Sequence, residues 1–312
     1  MIPGTTVDYN ATPLTCGQAS FVGRESFVGG VSNSKTGIAA QRYTNPLTRS
    51  LSWQKTWFFL EDDVQHVMVH IVNSTSGAPL FSVLDQKKHN GPIFVDGLPV
   101  RSSGNFSRPL SLWHDNVGYS LAQSNQSSFG LSVEVGPKSG NWSAIGISAQ
   151  GVETVDLFAA WLSHDNTSSS QDLPSVSYSA FPAVDRRTFQ KKALKTQVTL
   201  QQISNDGDVS AVYDSAHRTA FFVFWNAAGG SAQFRPSLTQ GPITVASTGA
   251  AAVIYCLDTG NITVSDPSQT LDTLQLTVTK GGRGGSPPNT LTFSLPAGGL
   301  AGSSVSQILK DH

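Results

Sequence analysis

Residues 56–71 read TWFFLEDDVQHVMVHI, and their pattern is the clearest indication of the fold class. Aromatic and β-branched side chains fill Thr56–Leu60 and again Val64–Ile71, which is the composition of β-strands. The three acidic residues between them, 61–63, predict a turn. Adjacent strand residues point to opposite faces, so these carboxylates are not expected to form a paired acid and base. The stretch predicts two consecutive strands joined by an acidic turn.

Short strand-like runs separated by turn residues continue through the rest of the chain. One helix is predicted, over Arg186–Leu194, within the densest basic run, which is interpreted as solvated surface between domains. The clearest further strands are Ile93–Val95 before the turn at Asp96-Gly97, the pair Ser210–Tyr213 and Thr219–Trp225, and the runs Ala250–Leu257 and Thr273–Thr279. The sequence therefore predicts an all-β protein.

Composition limits the classes of partner. Only 13% of the 312 residues are charged and the net charge is −1, which gives no electrostatic basis for binding nucleic acid. No apolar run approaches the roughly 20 residues that cross a bilayer, so no membrane contact is predicted. The glycine-rich run Gly281–Gly285 precedes Ser-Pro-Pro rather than a helix, so it is not a phosphate loop. No cofactor is predicted.

Seven Asn-X-Ser/Thr sequons favour a glycoprotein from a eukaryotic secretory pathway. They lie at Asn10, Asn73, Asn105, Asn125, Asn141, Asn166 and Asn261. Met1-Ile2 is followed at once by Pro3-Gly4 and polar residues, which is not a signal-peptide pattern. Two locations stay open: an extracellular one, for part of a longer secreted protein, and a cytoplasmic one, in which the sequons are unused.

Cysteine and histidine residues give no metal-binding pattern. Cys16 and Cys256 lie near opposite ends of the chain, so one long-range bridge and two separate thiols both remain open. His66 and His70 have the spacing of a helical zinc pair, but they belong to a predicted strand. Strand geometry separates them by roughly 13 Å, which one metal ion does not bridge.

A series of short motifs resembles polysaccharide lyases of family 8, the hyaluronan, chondroitin and xanthan lyase type. The residues of these motifs resemble fungal members more than bacterial ones. The motifs follow the family's order over residues 2–270: IPGTT from residue 2, SFVGGVS from 26, GIAA from 37, WFFLEDDV from 57, WHDNVGY from 113, GNWSAI from 140 and VSDPSQ from 264. The resemblance implies an antiparallel, galactose-mutarotase-like super-sandwich over residues 1–192 and a smaller C-terminal β-sandwich over 193–312.

The resemblance also implies where catalysis resides. Family members cleave at a uronic acid by β-elimination, which needs a base for the C5 proton and an acid for the departing oxygen. An Asn, a His, a Tyr and an Arg of an α-toroid that precedes the β part do most of this. The β part adds an acidic residue thought to orient them, and Glu25 is the position that matches it. A surface carboxylate beside a turn is the alternative role for Glu25.

Sugar recognition is the chemistry that the β part itself suggests, because apolar sugar faces stack on exposed aromatic rings. Trp113, His114, Asp115 and Asn116 form the most attractive mixed aromatic and polar patch. For Trp113, packing in the core is the competing interpretation. The near-neutral composition predicts that binding depends only weakly on salt.

Two functions follow as expectations. In the first, the chain is a lectin-like, carbohydrate-binding protein, inactive as a lyase by itself, whose partners are glycans and which forms homo-oligomers to gain avidity. In the second, it is the C-terminal portion of a lyase that cleaves uronic-acid polysaccharides once joined to its α-toroid.

Overall fold

The computed structural model describes residues 1–12, 17, 21–122, 129–144, 146–164, 175–282 and 287–309. Within them the chain forms 24 strands, one α-helix and two short 3-10 helices at Trp142–Ala144 and Gly298–Leu300. The strands are β1 Thr6–Asp8, β2 Val28–Ser32, β3 Gly37–Thr44, β4 Leu51–Leu60, β5 Val64–Ser74, β6 Leu80–Lys88, β7 Ile93–Val95, β8 Leu98–Val100, β9 Gly104–Ser107, β10 Ser111–His114, β11 Val117–Ala122, β12 Phe129–Asn141, β13 Val152–His164, β14 Val176–Phe181, β15 Leu200–Asn205, β16 Val209–Asp214, β17 Thr219–Phe224, β18 Gly230–Phe234, β19 Ile243–Ser247, β20 Ala251–Cys256, β21 Asn261–Ser265, β22 Thr273–Lys280, β23 Asn289–Ser294 and β24 Val305–Ile308; the helix, α1, is Arg186–Thr199.

The strands form four sheets of five, nine, six and four strands, and the strand pairs with a described register are antiparallel. Their orders are β1-β6-β13-β12-β9, then β2-β3-β4-β5-β14-β11-β10-β7-β8, then β15-β16-β17-β20-β21-β24, and β18-β19-β22-β23. The prediction of an all-β fold, with a large antiparallel super-sandwich followed by a smaller C-terminal β-sandwich, is confirmed.

By contacts, the chain divides into two compact units. The first comprises residues 1–24, 43–53 and 71–189, and the second comprises 25–42, 54–70 and 190–312. In the first unit, side chains of the nine-stranded sheet meet the five-stranded sheet. The Tyr119 hydroxyl on β11 donates to the Leu84 carbonyl on β6 at 3.1 Å, and the His114 ring on β10 lies 4.2 Å from the Phe158 ring on β13.

Aromatic side chains fill the second unit. The Phe234 ring on β18 lies 4.9 Å from the Tyr213 ring and 6.0 Å from the Phe222 ring, which joins the four-stranded to the six-stranded sheet. All three side chains are buried, and complete burial of a phenylalanine stabilises a fold by roughly 1.5–3 kcal/mol. The predicted pair of strands before and after residue 215 is present as β16 and β17, with Val209 opposite Phe224.

Local turns and the helix also agree with the sequence. Asp96 and Gly97 join β7 to β8 with φ of 51° and 76°, as a two-residue turn in which both residues are left-handed. Helix α1 begins after Asp185, whose Oδ1 accepts hydrogen bonds from the backbone N–H groups of Arg187 and Thr188. No helix in the described part of the chain is both long and apolar enough to span a membrane.

Candidate functional site

The predicted patch lies at the hairpin formed by β10 and β11, in which His114 pairs with Val117. Asp115 and Asn116 form its two-residue turn, with φ of 44° and 61°. Both residues are left-handed, as a turn matching the twist of an antiparallel pair requires. Asp and Asn tolerate this conformation better than other residues with a Cβ. The turn therefore accounts for the Asp-Asn pair and fixes both side chains at the tip of the hairpin.

His114 points inward rather than toward the other three residues. Its side chain is 1% exposed, packs on the Phe158 ring, and donates from Nδ1 to the Pro92 carbonyl at 3.3 Å. Burial is the main cause that lowers its pKa, and the Lys87 cation lowers it further. His114 is therefore neutral near pH 7, and it supports the hairpin from beneath.

Trp113 lies on the opposite face and is half-buried. Its Nε1–H donates to the Val184 carbonyl at 3.0 Å, which fixes the ring orientation. The Phe94 ring is 6.0 Å away, and the Arg186 guanidinium sits 4.2 Å from the centre of the Phe94 ring. A guanidinium over an aromatic face is attracted by the electron density of the ring. Two aromatic rings and one cation are thus adjacent.

Polar side chains lie at the tip of the same hairpin. The Asn90 amide donates to Asp115 Oδ1 at 3.0 Å, and the Asn116 side chain is exposed. Beneath the turn, Lys87 Nζ reaches the backbone carbonyls of His114 and Asp115 at 3.3 and 3.5 Å. We call the set Asn90, Phe94, Trp113, Asp115, Asn116 and Arg186 the hairpin surface.

The sequence did not identify three members of the hairpin surface. Phe94 gave only a strand signal, and Asn90 had no motif around it. Arg186 lay in the basic run interpreted as solvated surface. It is exposed, but it also stacks on Phe94. No local pattern distinguishes Arg186 from its neighbour Arg187, because the contact joins residues 92 positions apart in the chain.

Glu25 belongs to the second compact unit, where it is half-buried near Arg42. The Arg42 guanidinium lies 5.1 Å from the centre of the Phe27 ring and 5.9 Å from that of Trp225, and it donates to the Trp225 carbonyl. Burial lowers the Arg42 pKa, and the Glu25 carboxylate opposes this shift. The Glu25 carboxylate therefore lies within electrostatic range of an Arg42 side chain that is itself fixed by Phe27 and Trp225.

The other predicted positions are distributed over the surface. Among the sequon asparagines, Asn10, Asn105 and Asn141 are exposed, whereas Asn73 and Asn261 are half-buried. Asn125, Asn166 and Cys16 lie outside the described residues. Cys256 is a free thiol whose Sγ accepts a hydrogen bond from the Asn33 amide at 3.5 Å. Three or more His, Cys, Asp or Glu side chains grouped as metal ligands are not found in the described ranges.

Two family models match this chain. The model for the polysaccharide lyase family 8 super-sandwich domain matches residues 1–193, and that for the family's C-terminal beta-sandwich domain matches 203–275. The matched residues are therefore polysaccharide lyase domains of the β-sandwich class. It belongs to polysaccharide lyase family 8.

Solved structures with the same fold come from lyases. A chondroitinase AC lyase studied with oligosaccharides is 22% identical with a TM-score of 0.75, over 91% of this chain and 40% of that one. A Paenibacillus xanthan lyase is 21% identical with a TM-score of 0.76, over 98% and 30%. The Streptomyces coelicolor A3 chondroitin AC lyase in complex with chondroitin sulphate is 19% identical with a TM-score of 0.71, over 98% and 39%. At these identities the likeness shows the fold, and the chain spans 30–40% of the length of these lyases.

Proposed function

We propose that this chain is a carbohydrate-binding, lectin-like protein that recognises glycans at the hairpin surface and is inactive as a lyase by itself. The observation that carries the proposal is the half-buried Trp113 beside Phe94 and Arg186, on a hairpin whose turn residue Asp115 is paired with Asn90. A pyranose presents an apolar face that stacks on an aromatic ring, and its hydroxyls exchange hydrogen bonds with amides and carboxylates.

Rigidity supports this assignment. The Trp113 ring is held by its hydrogen bond to Val184, and the turn carbonyls are held by Lys87. A surface fixed before binding loses less conformational entropy when a ligand arrives. His114 acts as a positioning residue in this proposal, since its buried ring supports the hairpin and does not reach a ligand.

Arg186 gives the hairpin surface a preference for acidic sugars. Its guanidinium is exposed and presents a planar set of donors that matches a carboxylate. Because the contact is at the surface, the charge adds little affinity and is screened by salt. We expect modest affinity for a single site, so useful binding requires several sites linked in a homo-oligomer.

The second candidate function is that of the β part of an active lyase, which cleaves uronic-acid polysaccharides when an α-toroid is joined to it. The observation that favours it is that the matched lyases are longer than this chain. In that case Glu25, within electrostatic range of Arg42, is the auxiliary residue that orients the toroid's catalytic groups. This second function implies an extracellular protein with its exposed sequons glycosylated, whereas a lectin-like protein that functions alone is also compatible with a cytoplasmic location and unused sequons.

A glycan array combined with haemagglutination tests the first function. The folded chain should bind acidic glycans, and Arg186→Gln should weaken that binding. Lys191→Ala, an exposed change in the same helix, is the matched control and should leave binding unchanged. Absence of binding in both assays by protein with a β-type circular dichroism spectrum would refute the proposal.

The lyase assay separates the two functions. Incubated with hyaluronan or chondroitin, this chain alone should release no unsaturated uronate. Ultraviolet absorbance of that product above a heat-inactivated control would contradict the claim of inactivity. If activity appears only after a toroid from a family member is added, the second function is supported, and Glu25→Gln should reduce the rate.

A further inference from the structure

A groove in the second compact unit has features of a ligand site that the hairpin surface does not use. It lies between the β2–β3 hairpin, the β4 side chain of Phe59 and the segment 302–304 that leads into β24, and its volume is about 610 Å³. Small-molecule sites commonly occupy about 300–1,000 Å³. The groove shares no residue with the hairpin surface.

The turn between β2 and β3 gives one wall of the groove a fixed shape. Asn33 Oδ1 accepts hydrogen bonds from the backbone N–H groups of Lys35 and Thr36 at 3.1 and 2.8 Å, and from the Thr36 hydroxyl at 3.1 Å. The Ser32 hydroxyl donates to the Thr36 carbonyl at 3.2 Å and accepts from the Ser34 N–H at 3.1 Å. Lys35 therefore lies in a turn whose backbone is fixed by the side-chain hydrogen bonds of Ser32 and Asn33.

The opposite wall is joined to this turn. The backbone N–H of Ser32, on the edge strand β2, donates to the Ser304 hydroxyl oxygen at 3.0 Å. Ser303 and Ser304 are both exposed residues of the segment 302–304. Both walls thus carry hydroxyl groups, and a hydrogen bond holds them together.

An exposed aromatic ring lies in the same groove. Phe59 is 44% exposed although its neighbours Phe58 and Leu60 are buried. Gly37 lies beside it, and a Cβ at that position would stand 3.8 Å from the Phe59 ring. The missing side chain at Gly37 leaves part of the ring uncovered, which provides a flat apolar platform.

The chemistry of the lining indicates the class of ligand. The lining residues include five hydroxyl side chains, one lysine, one aromatic ring and no carboxylate: Ser32, Ser34, Thr36, Ser303, Ser304, Lys35 and Phe59. No carboxylate of the described residues forms a salt bridge with Lys35. The exposed serine hydroxyls whose protons are used within the turn still offer acceptor lone pairs to sugar hydroxyls. The ring matches a pyranose face, and the ammonium selects an acidic group.

We propose that this groove binds an acidic saccharide, with one sugar ring stacked on Phe59 and its carboxylate or sulfate facing the Lys35 ammonium. The site is additional to the hairpin surface and stands on its own observations. A chain with two such sites holds two oligosaccharides.

Isothermal titration calorimetry with unsulfated chondroitin hexasaccharide tests the proposal. We expect two binding sites per chain. Phe59→Ala should weaken binding at one of them by roughly three- to tenfold, and Lys35→Ala by roughly two- to fivefold. Arg186→Gln should affect the other site. Leu194→Ala and Lys191→Ala remove an exposed apolar and an exposed basic side chain elsewhere, and they should change neither site.

The same hexasaccharide with its carboxylates reduced to alcohols separates the roles of ring and charge. Its binding to the groove should be sensitive to Phe59→Ala and insensitive to Lys35→Ala. If hexasaccharide binding responds to Arg186→Gln but to neither groove variant, the groove proposal is wrong and the proposed function stands. If the groove variants alone reduce binding, the groove proposal stands and the proposed function of the hairpin surface is wrong. No binding of the hexasaccharide by folded protein would overturn the groove proposal.

Discussion

The neighbouring residues Trp113 and His114 differ in burial, and the sequence alone does not predict which of the two is buried. Both belong to one mixed motif, yet strand alternation sends the Trp113 ring to the surface and the His114 ring into the core. The alternation is visible in the sequence, but which of the two faces is buried depends on the sheet that packs against β10. That packing is set by Phe158, which lies far along the chain.

Lys55 on β4 gives a residue-scale prediction. Its side chain is fully buried, its Nζ lies 5.3 Å from the centre of the Trp57 ring, and burial lowers its pKa from 10.5 to about 7. Between these two values the unfolded chain binds more protons than the folded one. The free energy of unfolding should therefore rise as the pH increases from about 7 to 10.5.

Urea denaturation of Lys55→Met at pH 7, 8, 9 and 10 checks this sign. The variant should lack the rise that Lys55 causes, while Lys191→Met, an exposed lysine, should retain it. Parallel curves for the wild type and Lys55→Met would show that the buried amine does not change its protonation on folding.

At the scale of elements, most strands and turns could be predicted, because alternation and turn residues are local signals. The helix was predicted to end at Leu194, but it continues to Thr199. The added turn receives long-range support, since Lys195 Nζ donates to Asp62 Oδ2 at 2.7 Å. Lys192, within the predicted part of the helix, donates to the Asp62 carbonyl at 2.7 Å. Contacts between distant parts of the chain leave no local signal. For the same reason, the contact between Phe94 and Arg186 could not be predicted from the sequence.

Asp62 at the β4–β5 turn gives a prediction at this scale. Its hydrogen bond with Lys195 is the main cause that lowers its pKa, so its stabilising effect is present above the ordinary value of 3.8 and is lost as the pH falls below it. Asp62 is left-handed, with φ of 62°, and asparagine tolerates this conformation. Asp62→Asn should therefore keep the turn and remove the charge.

Thermal unfolding between pH 7 and pH 2 measures this effect. Asp62→Asn should unfold at a slightly lower temperature at pH 7, because an exposed ion pair contributes little. The difference from the wild type should shrink as the pH falls below 4. Asp63→Asn, at the neighbouring and more exposed turn position, is the matched control. A difference that stays constant down to pH 2 would show that the Asp62 charge is not its source.

For the whole molecule, we propose a domain boundary between residues 192 and 193. This boundary has a consequence for the stability of a fragment that begins there. The second compact unit includes residues 25–42 and 54–70 as well as 190–312. Within it, the Phe58 ring on β4 meets the Phe221 ring at 6.1 Å, and the Ser265 hydroxyl donates to the Gly30 carbonyl at 2.9 Å. A fragment of residues 193–312 therefore lacks side chains that cover its core.

The adjacent residues Phe58 and Phe59 test this packing. Phe58 is fully buried and Phe59 is 44% exposed. In the full chain, Phe58→Ala should lower the free energy of unfolding by about 3–5 kcal/mol, the usual cost of removing a buried phenylalanine. Phe59→Ala should cost much less. Equal losses of unfolding free energy in the two variants would contradict the difference in burial between Phe58 and Phe59. A fragment 193–312 as stable as the full chain would show that its stability does not depend on β4.

Hydrogen–deuterium exchange with and without chondroitin hexasaccharide measures glycan binding at the hairpin surface. We expect slower exchange of backbone amides in residues 90–96 and 113–118 when the saccharide is present. Below saturation, Arg186→Gln should reduce this protection, while Lys191→Ala should not. Unchanged exchange in both segments of the unsubstituted chain, at a saccharide concentration that saturates binding measured by calorimetry, would show that glycans do not bind at the hairpin surface.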